Sequence, residues 1–446
     1  MSYSDDYLND TVRDPFDTLK QPFLRFFRIE ASGGILLIVA TVVALVMANS
    51  DLGDVYESFW KKDFTIGTDA FKLTKPIILW INDGLMAIFF FLVGLEIKRE
   101  LLAGELSSPK KAALPIIAAV GGMLVPAGLF LFFNRNGQGL EGWGIPMATD
   151  IAFSLGILSL LGKRVPIALK VFLVAFAIID DIGAVLVIAF FYSSQIHWDL
   201  MFMALALLGL LFVFNTINLR YIPMYMIVGW VIWYLFLKSG IHPTIAGVLI
   251  AFSIPASRKI QLKDFNYRIN RNLNDFSEEL CEESFTLNQR QLAAIDNMQS
   301  QIDKVQSPLQ ALEYNLHGFV TYIVMPLFAF ANAGVVLGGA GLESFNTLTL
   351  SISGSLVLGK VLGIFLFSYL TVRLGISALP NKISWHHILG AGMLGGIGFT
   401  MSLFISNLAY DNIILLNQAK LGILLGSLVA AILGYVYLKI VLSRSK

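Results

Sequence analysis

The apolar residues of this sequence form long segments separated by polar connections, most of which are short. Most of these segments are about 20 residues long, the length that an α-helix needs to cross the hydrocarbon core of a bilayer. They do not show the ten-residue alternation that is typical of outer-membrane β-barrel strands. The pattern predicts an all-α polytopic membrane protein with about twelve spans, near residues 31–49, 77–95, 112–133, 145–161, 167–192, 199–219, 221–238, 241–255, 317–337, 349–372, 385–408 and 418–442.

Composition supports this class. Of the 446 residues, 56% are hydrophobic and 14% are charged, whereas soluble domains have about 25% charged residues. A net charge of +1 gives no indication of nucleic-acid binding. The single cysteine, Cys281, excludes an intrachain disulfide, and five scattered histidines form no metal-ligand pattern, so we expect no cofactor. The polar first 23 residues lack the features of a cleaved signal peptide, so we expect the first span to be retained.

Basic residues are concentrated in alternate connections, which predicts that both termini are cytoplasmic. The exception is the connection at 50–76, which carries four lysines on the predicted outer side. Within it, apolar and polar residues alternate in "FTIGTDAFKLT", which is typical of a β-hairpin with its turn at Gly67 to Asp69. An irregular loop fits the same residues.

The one long polar connection, residues 256–316, is predicted to be cytoplasmic and includes an acidic stretch, "EELCEES". Apolar residues recur in it at steps of three and four, which predicts an amphipathic helix. The pattern leaves open whether this helix packs on the protein's own inner face, on lipid or on a second subunit. The apolar positions are Leu292, Ile295, Met298, Ile302, Val305, Leu309 and Leu312.

Four ionisable residues lie deepest within the predicted spans: Asp150, Asp180, Asp181 and Lys360. If charged and unpaired, each would cost roughly 2.5–3.5 kcal/mol at the centre of a bilayer, so they indicate function. A buried ion pair that only joins helices is the alternative, but three acids facing one base leave a surplus of acid. Asp83 and Lys170 also lie in spans, but nearer their ends.

Asp180 and Asp181 are adjacent, and neighbouring side chains on a helix point about 100° apart. We therefore expect one of them to pair with Lys360 and the other to face a water-filled cavity. Burial and charge attraction act in opposite directions on the proton affinity of such groups, so they can exchange protons near neutral pH. This behaviour is what a proton-coupled carrier requires.

Two predicted spans contain helix-breaking sequences. In span four, Pro146 precedes Thr149 and Asp150; in span eleven, five glycines between 390 and 398 precede Thr400. If span eleven is considered by itself, close packing of helices explains its glycines equally well. However, the two segments occupy matching places in spans three to five and ten to twelve, which predicts inverted repeats whose helices break and cross at a binding site. Asp150 and Lys360 would then offset the partial charges of the broken helix ends.

The available ligand atoms are carboxylate, hydroxyl and backbone oxygens, which suit a hard cation such as Na⁺ or Li⁺. The spans contain no deep arginine for an anion, and no aromatic cluster surrounds the acids as a bulky organic substrate would require.

Several long motifs resemble those of the NhaA family of bacterial sodium/proton antiporters, over about residues 20–440. They are "WINDGLMAIFFFLVGLEIKREL", "MATDIAFSLGIL", "IIDDIGA", "MPLFAFANAGV", "LGKVLGI" and "GGIGFTMSLFI". The family is itself a known case of inverted repeats with broken helices. The prediction of inverted repeats is therefore not independent of the resemblance. The resemblance implies a transporter and not an enzyme: electrogenic, pH-regulated exchange of cytoplasmic Na⁺ or Li⁺ for external H⁺ in the inner membrane. It also implies a homodimer joined by a hairpin at 63–74.

The resemblance further implies roles for particular residues. Asp181 is expected to be the principal carboxylate for cation and proton, with Asp180 as the second carboxylate and Lys360 as its partner; the two acids would hold the transported Na⁺ or Li⁺ transiently. Thr149 and Asp150 match the unwound crossing. The residues that match positions linked to pH response are Glu96, Glu100, Glu313, His317 and His242.

The chain departs from the family pattern in two places. Gly318 stands where relatives often have proline, and the connection at 256–316 is longer than in compact members. Both differences affect the expected pH response and leave the transport chemistry unchanged.

Two other functions use acids inside a membrane. An intramembrane aspartyl protease needs two aspartates from different helices gripping one water, whereas Asp180 and Asp181 are adjacent. A cation channel needs a ring or filter of ligands, normally from several subunits. A carrier fits the buried acids and the lysine better than either.

Overall fold

The computed structural model describes residues 15–68, 71–135, 137–193, 196–277, 286–336 and 346–444. Cys281, the acidic stretch at 278–284 and the turn residue Asp69 lie outside the described residues. The described chain is almost entirely helical, with one two-stranded sheet. In the first half, the elements are α1 (Pro15–Ala48), α2 (Gly53–Lys61), β1 (Asp63–Thr68), β2 (Phe71–Pro76), α3 (Ile77–Leu79), α4 (Met86–Ala103), α5 (Pro109–Phe133), α6 (Ile151–Leu160), α7 (Ile167–Phe191), α8 (Trp198–Thr216) and α9 (Ile222–Ser239).

The second half is built in the same way, from α10 (Thr244–Ser253), α11 (Leu262–Ser277), α12 (Gln289–Val305), α13 (Pro308–Phe319), α14 (Met325–Asn332), α15 (Thr347–Gly354), α16 (Lys360–Arg373), α17 (Trp385–Gly395), α18 (Phe399–Ala409) and α19 (Ile413–Arg444). Among the described residues, three π-helical turns lie within spans, at Trp80–Leu85, Val320–Val324 and Ser355–Gly359. Helices of the 3-10 type lie at Glu105–Ser107, Leu140–Met147 and Gly162–Arg164.

Within the described residues, nine helices are long and apolar enough to cross a membrane, or up to eleven if each of two bent helix pairs is one span. The predicted span at 241–255 corresponds to α10, which has only ten residues and is too short to cross alone. The chain is an all-α polytopic membrane protein, as the hydrophobic pattern predicts.

Both spans that were expected to be interrupted are interrupted. In span four, Leu140–Met147 is a 3-10 helix that contains Pro146, and extended backbone follows before α6 begins at Ile151. In span eleven, α17 ends at Gly395 and α18 begins at Phe399, with a bend of 43° between them. Proline removes a backbone donor and glycine favours helix ends, which accounts for both breaks.

The described residues divide into two compact units. One comprises the described parts of 1–86, 105–192 and 318–446, and the other those of 87–104 and 193–317. The first unit contains the hairpin and both interrupted spans. The second contains α8 to α12 and most of α4 and α13.

The connection at 50–76 contains a hairpin, with β1 and β2 antiparallel and Thr65 opposite Thr74. The hydroxyls of this pair lie 2.8 Å apart, and the indole of Trp80 donates to the carbonyl of Phe64 at 3.0 Å. That the hairpin joins subunits stays a prediction, which the oligomeric state of a variant lacking β1 and β2 would test.

The long polar connection contains two helices, α11 and α12, which pack against each other. The buried residues of α12 are Gln291, Ala294 and Gln301, while Leu292 and Ile302 of the predicted stripe are 49% and 44% exposed. The stripe is also divided, because α12 ends at Val305 and Pro308 starts α13. The apolar helix of span nine therefore begins at Pro308, nine residues before the predicted boundary at 317.

Helices α5 and α16 touch backbone to backbone in the first unit. A Cβ on Gly363 would lie 2.1 Å from the carbonyl oxygen of Gly121. We expect Gly363→Val to destabilise the protein by about 3 kcal/mol or more, because backbone has to move to admit the side chain. The thermal stability of detergent-extracted protein, followed by size-exclusion chromatography, measures this loss. The matched control is Gly128→Val, since a Cβ on Gly128 meets nothing within 4 Å; equal stability of the two variants would contradict the prediction.

Candidate ion-binding site

Asp150 joins the two interrupted spans. It is the N-cap of α6, where its Oδ1 accepts a hydrogen bond from the backbone N–H of Phe153 at 2.9 Å. Its Oδ2 accepts from the backbone N–H of Thr400 at 3.0 Å and from the Thr400 hydroxyl. Its own N–H donates to the carbonyl of Ile397 at 2.7 Å. Two helix starts therefore share one carboxylate, whose negative charge is favourable at the positive ends of helices.

Hydroxyl groups of span four donate to backbone carbonyls at the end of α17, where span eleven breaks. Thr149 Oγ1 donates to the carbonyl of Gly395 at 2.9 Å, and Ser154 Oγ donates to that of Leu394 at 2.8 Å. Such partners are required because a backbone carbonyl without a hydrogen bond costs several kcal/mol inside a bilayer. The unwound crossing is thus a stable arrangement with polar groups at its centre.

Asp180 and Lys360 form an ion pair in the same unit. Lys360 Nζ lies 2.7 Å from Asp180 Oδ2, and both side chains are 0% exposed. The ammonium also lies 5.5 Å from the centre of the Phe176 ring, within the range of a cation–π interaction. Lys360 follows the π-helical turn Ser355–Gly359, a type of distortion that is frequent at functional sites.

Asp181 is 1% exposed and lies near enough to Lys360 for charge attraction. The expectation that the second acid faces a water-filled cavity is therefore wrong for this structure, because both oxygens of the Asp181 carboxylate are enclosed by protein. Thr149 lies against the Asp180 carboxylate. Thr149 therefore connects the ion pair of Asp180 and Lys360 to the crossing of the two interrupted spans. One lysine thus faces two neighbouring acids, and only Asp180 holds it by a direct hydrogen bond.

The described residues contain no group of three or more His, Cys, Asp and Glu side chains that could hold a metal ion. A cation at this site would be held by few charges together with hydroxyl and backbone oxygens. Carboxylate, hydroxyl and backbone oxygens are ligands that suit a hard cation.

Four of the five residues predicted for pH response lie together in the second unit, around Arg99. Arg99 Nε lies 2.8 Å from Glu313 Oε1, and its Nη1 lies 2.8 Å from Glu100 Oε1. His317 Nδ1 lies 3.7 Å from Glu96 Oε1. Residues three and four apart share a helix face, which places these side chains on facing sides of α4 and α13. We call Glu96, Arg99, Glu100, Glu313 and His317 the Arg99 cluster.

His242 is apart from this cluster. Its Nδ1 lies 2.7 Å from Thr244 Oγ1, at the start of α10. Lys98, next to the cluster on α4, donates to the carbonyls of Phe252 and Ile254 at the other end of that helix. A helix of ten residues is about 15 Å long, so the structure separates His242 from the four residues with which the sequence grouped it.

Sequence reasoning missed the central position of Arg99 and the bonds from Thr400 to Asp150. It also missed an amide cluster in the first unit, where Asn332 Nδ2 donates to Asn82 Oδ1 at 2.9 Å and Asn407 Nδ2 donates to Asn332 Oδ1 at 3.0 Å. The available signal was the presence of polar residues within apolar spans. That signal does not identify partners that are 75 to 250 residues apart.

Two broken spans that cross beside buried acids and a lysine are typical of secondary ion transporters. The sequence comparisons identify the family: residues 24–438 match Na+/H+ antiporter 1. This chain belongs to that family, which confirms the resemblance seen in its motifs.

Three relatives named Na(+)/H(+) antiporter NhaA are similar over nearly the whole chain. The protein of Oleidesulfovibrio alaskensis is 48% identical, over 96% of both chains. That of Bacteroides fragilis is 48% identical, over 94% of this chain and 98% of its own. That of Koribacter versatilis is 48% identical, over 95% of this chain and 92% of its own.

Proposed function

We propose that this protein exports cytoplasmic Na⁺ or Li⁺ across a bacterial inner membrane in exchange for external H⁺, with both termini in the cytoplasm. The buried pair of neighbouring acids that share one lysine supports the proposal most strongly. Family membership and the names of the relatives agree with it.

In this proposal, Asp181 is the main carboxylate that binds either the cation or a proton. Asp180 alternates between its bond to Lys360 and the transported ion, while Thr149 and Asp150 hold the crossing that supplies oxygen atoms. Because the cation and the protons compete for the same carboxylates, each occupant excludes the other and exchange is obligatory. Rocking of the spans exposes the site to one side at a time, and more than one H⁺ moves per Na⁺, which makes the exchange electrogenic.

The proposed exchange is tested in everted membrane vesicles from cells that lack other sodium/proton antiporters. Respiration acidifies the vesicle lumen, and a pH-sensitive dye then follows the release of protons when Na⁺, Li⁺ or K⁺ is added. We expect Na⁺ and Li⁺ to release protons in vesicles that contain the protein. A steady cation conductance without proton release would favour a channel and contradict the proposal.

We further propose that the Arg99 cluster senses cytoplasmic pH. It places three carboxylates beside one arginine and one histidine within hydrogen-bonding or ion-pair distance. Histidine is the side chain whose charge changes most readily in the physiological pH range. Gain and loss of protons therefore change the net charge that holds α4 and α13 together. His242, being apart, would contribute separately.

We predict that Glu313→Gln shifts the pH profile of exchange to lower pH by roughly one unit, because removing one negative charge makes the remaining groups release protons more readily. Proton release at a series of pH values measures the shift. Asp296→Asn, an exposed acid-to-amide change on α12, is the matched control. An unchanged profile in Glu313→Gln, or an equal shift in the control, would refute the proposed role of the cluster.

A further inference from the structure

Two tyrosines hold the segment that leads into the crossing. Tyr410 donates a hydrogen bond to the carbonyl of Gly139, and Tyr192 donates to the carbonyl of Glu141, each at 2.6 Å. These carbonyls lie at the start of the 3-10 helix Leu140–Met147, which runs directly to Thr149 and Asp150. A further hydroxyl, Ser402 Oγ, donates to the carbonyl of Ile145 at 2.7 Å.

The tyrosines come from the two helices that complete the site. Tyr192 directly follows α7, which carries Asp180 and Asp181. Tyr410 directly follows α18, whose second residue is Thr400. Each phenol is ten to twelve residues, or about 15–18 Å along a helix, from the site residue on its own helix. The backbone of Gly139 and Glu141 is thus hydrogen-bonded to the ends of both α18 and α7.

The local sequence is adapted to these contacts. Gly139 has a φ of +79°, in the left-handed region that favours glycine. A Cβ on Gly142 would lie 1.9 Å from the hydroxyl oxygen of Tyr410, and a Cβ on Gly144 would lie 3.0 Å from that of Tyr192. The stretch "GLEGWG" lets both phenols reach the backbone, and the ring of Trp143 packs edge-on against Phe191 at the end of α7.

Both phenols remain hydrogen-bond donors at physiological pH. Burial raises the pKa of Tyr192 to about 12 and also raises the pKa of Tyr410. The phenols therefore stay protonated over the pH range in which the transported protons bind and leave. An alternative that is purely structural, in which the phenols only satisfy carbonyls, predicts an effect on stability and none on ion affinity.

We propose that Tyr192 and Tyr410 are positioning residues for the ion-binding site. They fix the backbone before Thr149 and Asp150 to the helices that carry Asp181 and Thr400, so that the oxygen ligands keep their relative distances. This inference rests on the proposed Na⁺/H⁺ exchange and adds two residues that touch no transported ion.

The test compares Tyr192→Phe, Tyr410→Phe and the double variant in everted vesicles, with Tyr437→Phe as control. The control removes a phenol that lies 2.8 Å from His386 Nδ1, at an exposed position. Loss of one hydrogen bond changes an equilibrium constant by about threefold to tenfold, and of the two bonds the one from Tyr410 is buried whereas the one from Tyr192 is exposed. We expect the double variant to raise the Na⁺ concentration for half-maximal exchange by at least that factor, with a maximal rate within about twofold of the wild type.

Gly142→Ala provides a second perturbation of the same contact. The added Cβ displaces the Tyr410 phenol, so we expect a similar rise in the half-maximal Na⁺ concentration and no further rise when it is combined with Tyr410→Phe. An unchanged half-maximal concentration in the double variant, or a loss of stability and maximal rate alone, would overturn the positioning role. If the wild type itself showed no Na⁺-dependent proton release, the proposed function would fail, and this inference with it.

Discussion

Asp181→Asn is expected to reduce Na⁺-dependent proton release to the background of vesicles that lack the protein. Asparagine preserves the size of the side chain but can neither bind a proton nor carry the negative charge that attracts the cation. Asp181 is 1% exposed, so the groups around it and not bulk water determine how strongly an ion is held there. The measurement is dye dequenching after the addition of Na⁺, over a wide range of Na⁺ concentrations and pH.

The matched control for this variant is Asp83→Asn. Asp83 is also an aspartate in a span, but it pairs with Lys75 at 2.6 Å and is partly exposed. We expect the control to retain most of the exchange at normal protein levels. Normal exchange in Asp181→Asn would refute the assignment of Asp181 as the main carboxylate. Loss of exchange in both Asp181→Asn and Asp83→Asn would show that exchange is sensitive to the removal of any acid in the spans, which would also contradict the assignment.

Lys360→Ala is expected to destabilise the protein by about 3–5 kcal/mol, the usual consequence of removing one partner of a buried ion pair. Asp180 would then keep a buried charge without its 2.7 Å partner. The double variant Lys360→Ala/Asp180→Asn removes that charge, so we expect it to recover most of the lost stability. Thermal unfolding of the three purified proteins in one detergent measures both effects.

Lys360→Ala should keep some exchange, with a shifted pH profile or a changed apparent affinity for Na⁺, because Asp181 remains. Vesicles grown at reduced temperature allow this measurement despite the lower stability. If Lys360→Ala gave no folded protein under any condition, the lysine would be a structural residue only. That result would favour the buried ion pair as a device that joins helices.

The spans were readable from the sequence, because about twenty consecutive apolar residues suffice to cross a bilayer whatever their neighbours are. The same local rule misplaced some boundaries. Span nine begins at Pro308 because α13 extends the helix beyond the apolar run. The exposed Leu292 and Ile302 show that helical periodicity identified a face of α12 without showing which face packs on α11.

The candidate site was readable as a set of residue types and not as a set of contacts. Buried charge is costly wherever it occurs, so Asp150, Asp180, Asp181 and Lys360 stood out without any partner being known. The bond between Asp180 and Lys360 joins residues 180 apart, and that between Arg99 and Glu313 joins residues 214 apart. No periodicity in a single chain records such pairings.

Hydrophobic length, buried charge and helix-breaking residues are local properties, so the sequence by itself determined the membrane class, the broken spans and the acids at their centre. Only the tertiary structure decided that Lys360 bonds to Asp180, that the Asp150 carboxylate accepts hydrogen bonds from Thr400 and that His242 stands apart from the Arg99 cluster. The physical reason is that hydrogen bonds and ion pairs form over about 3 Å, and folding alone brings residues from distant parts of the chain within that distance.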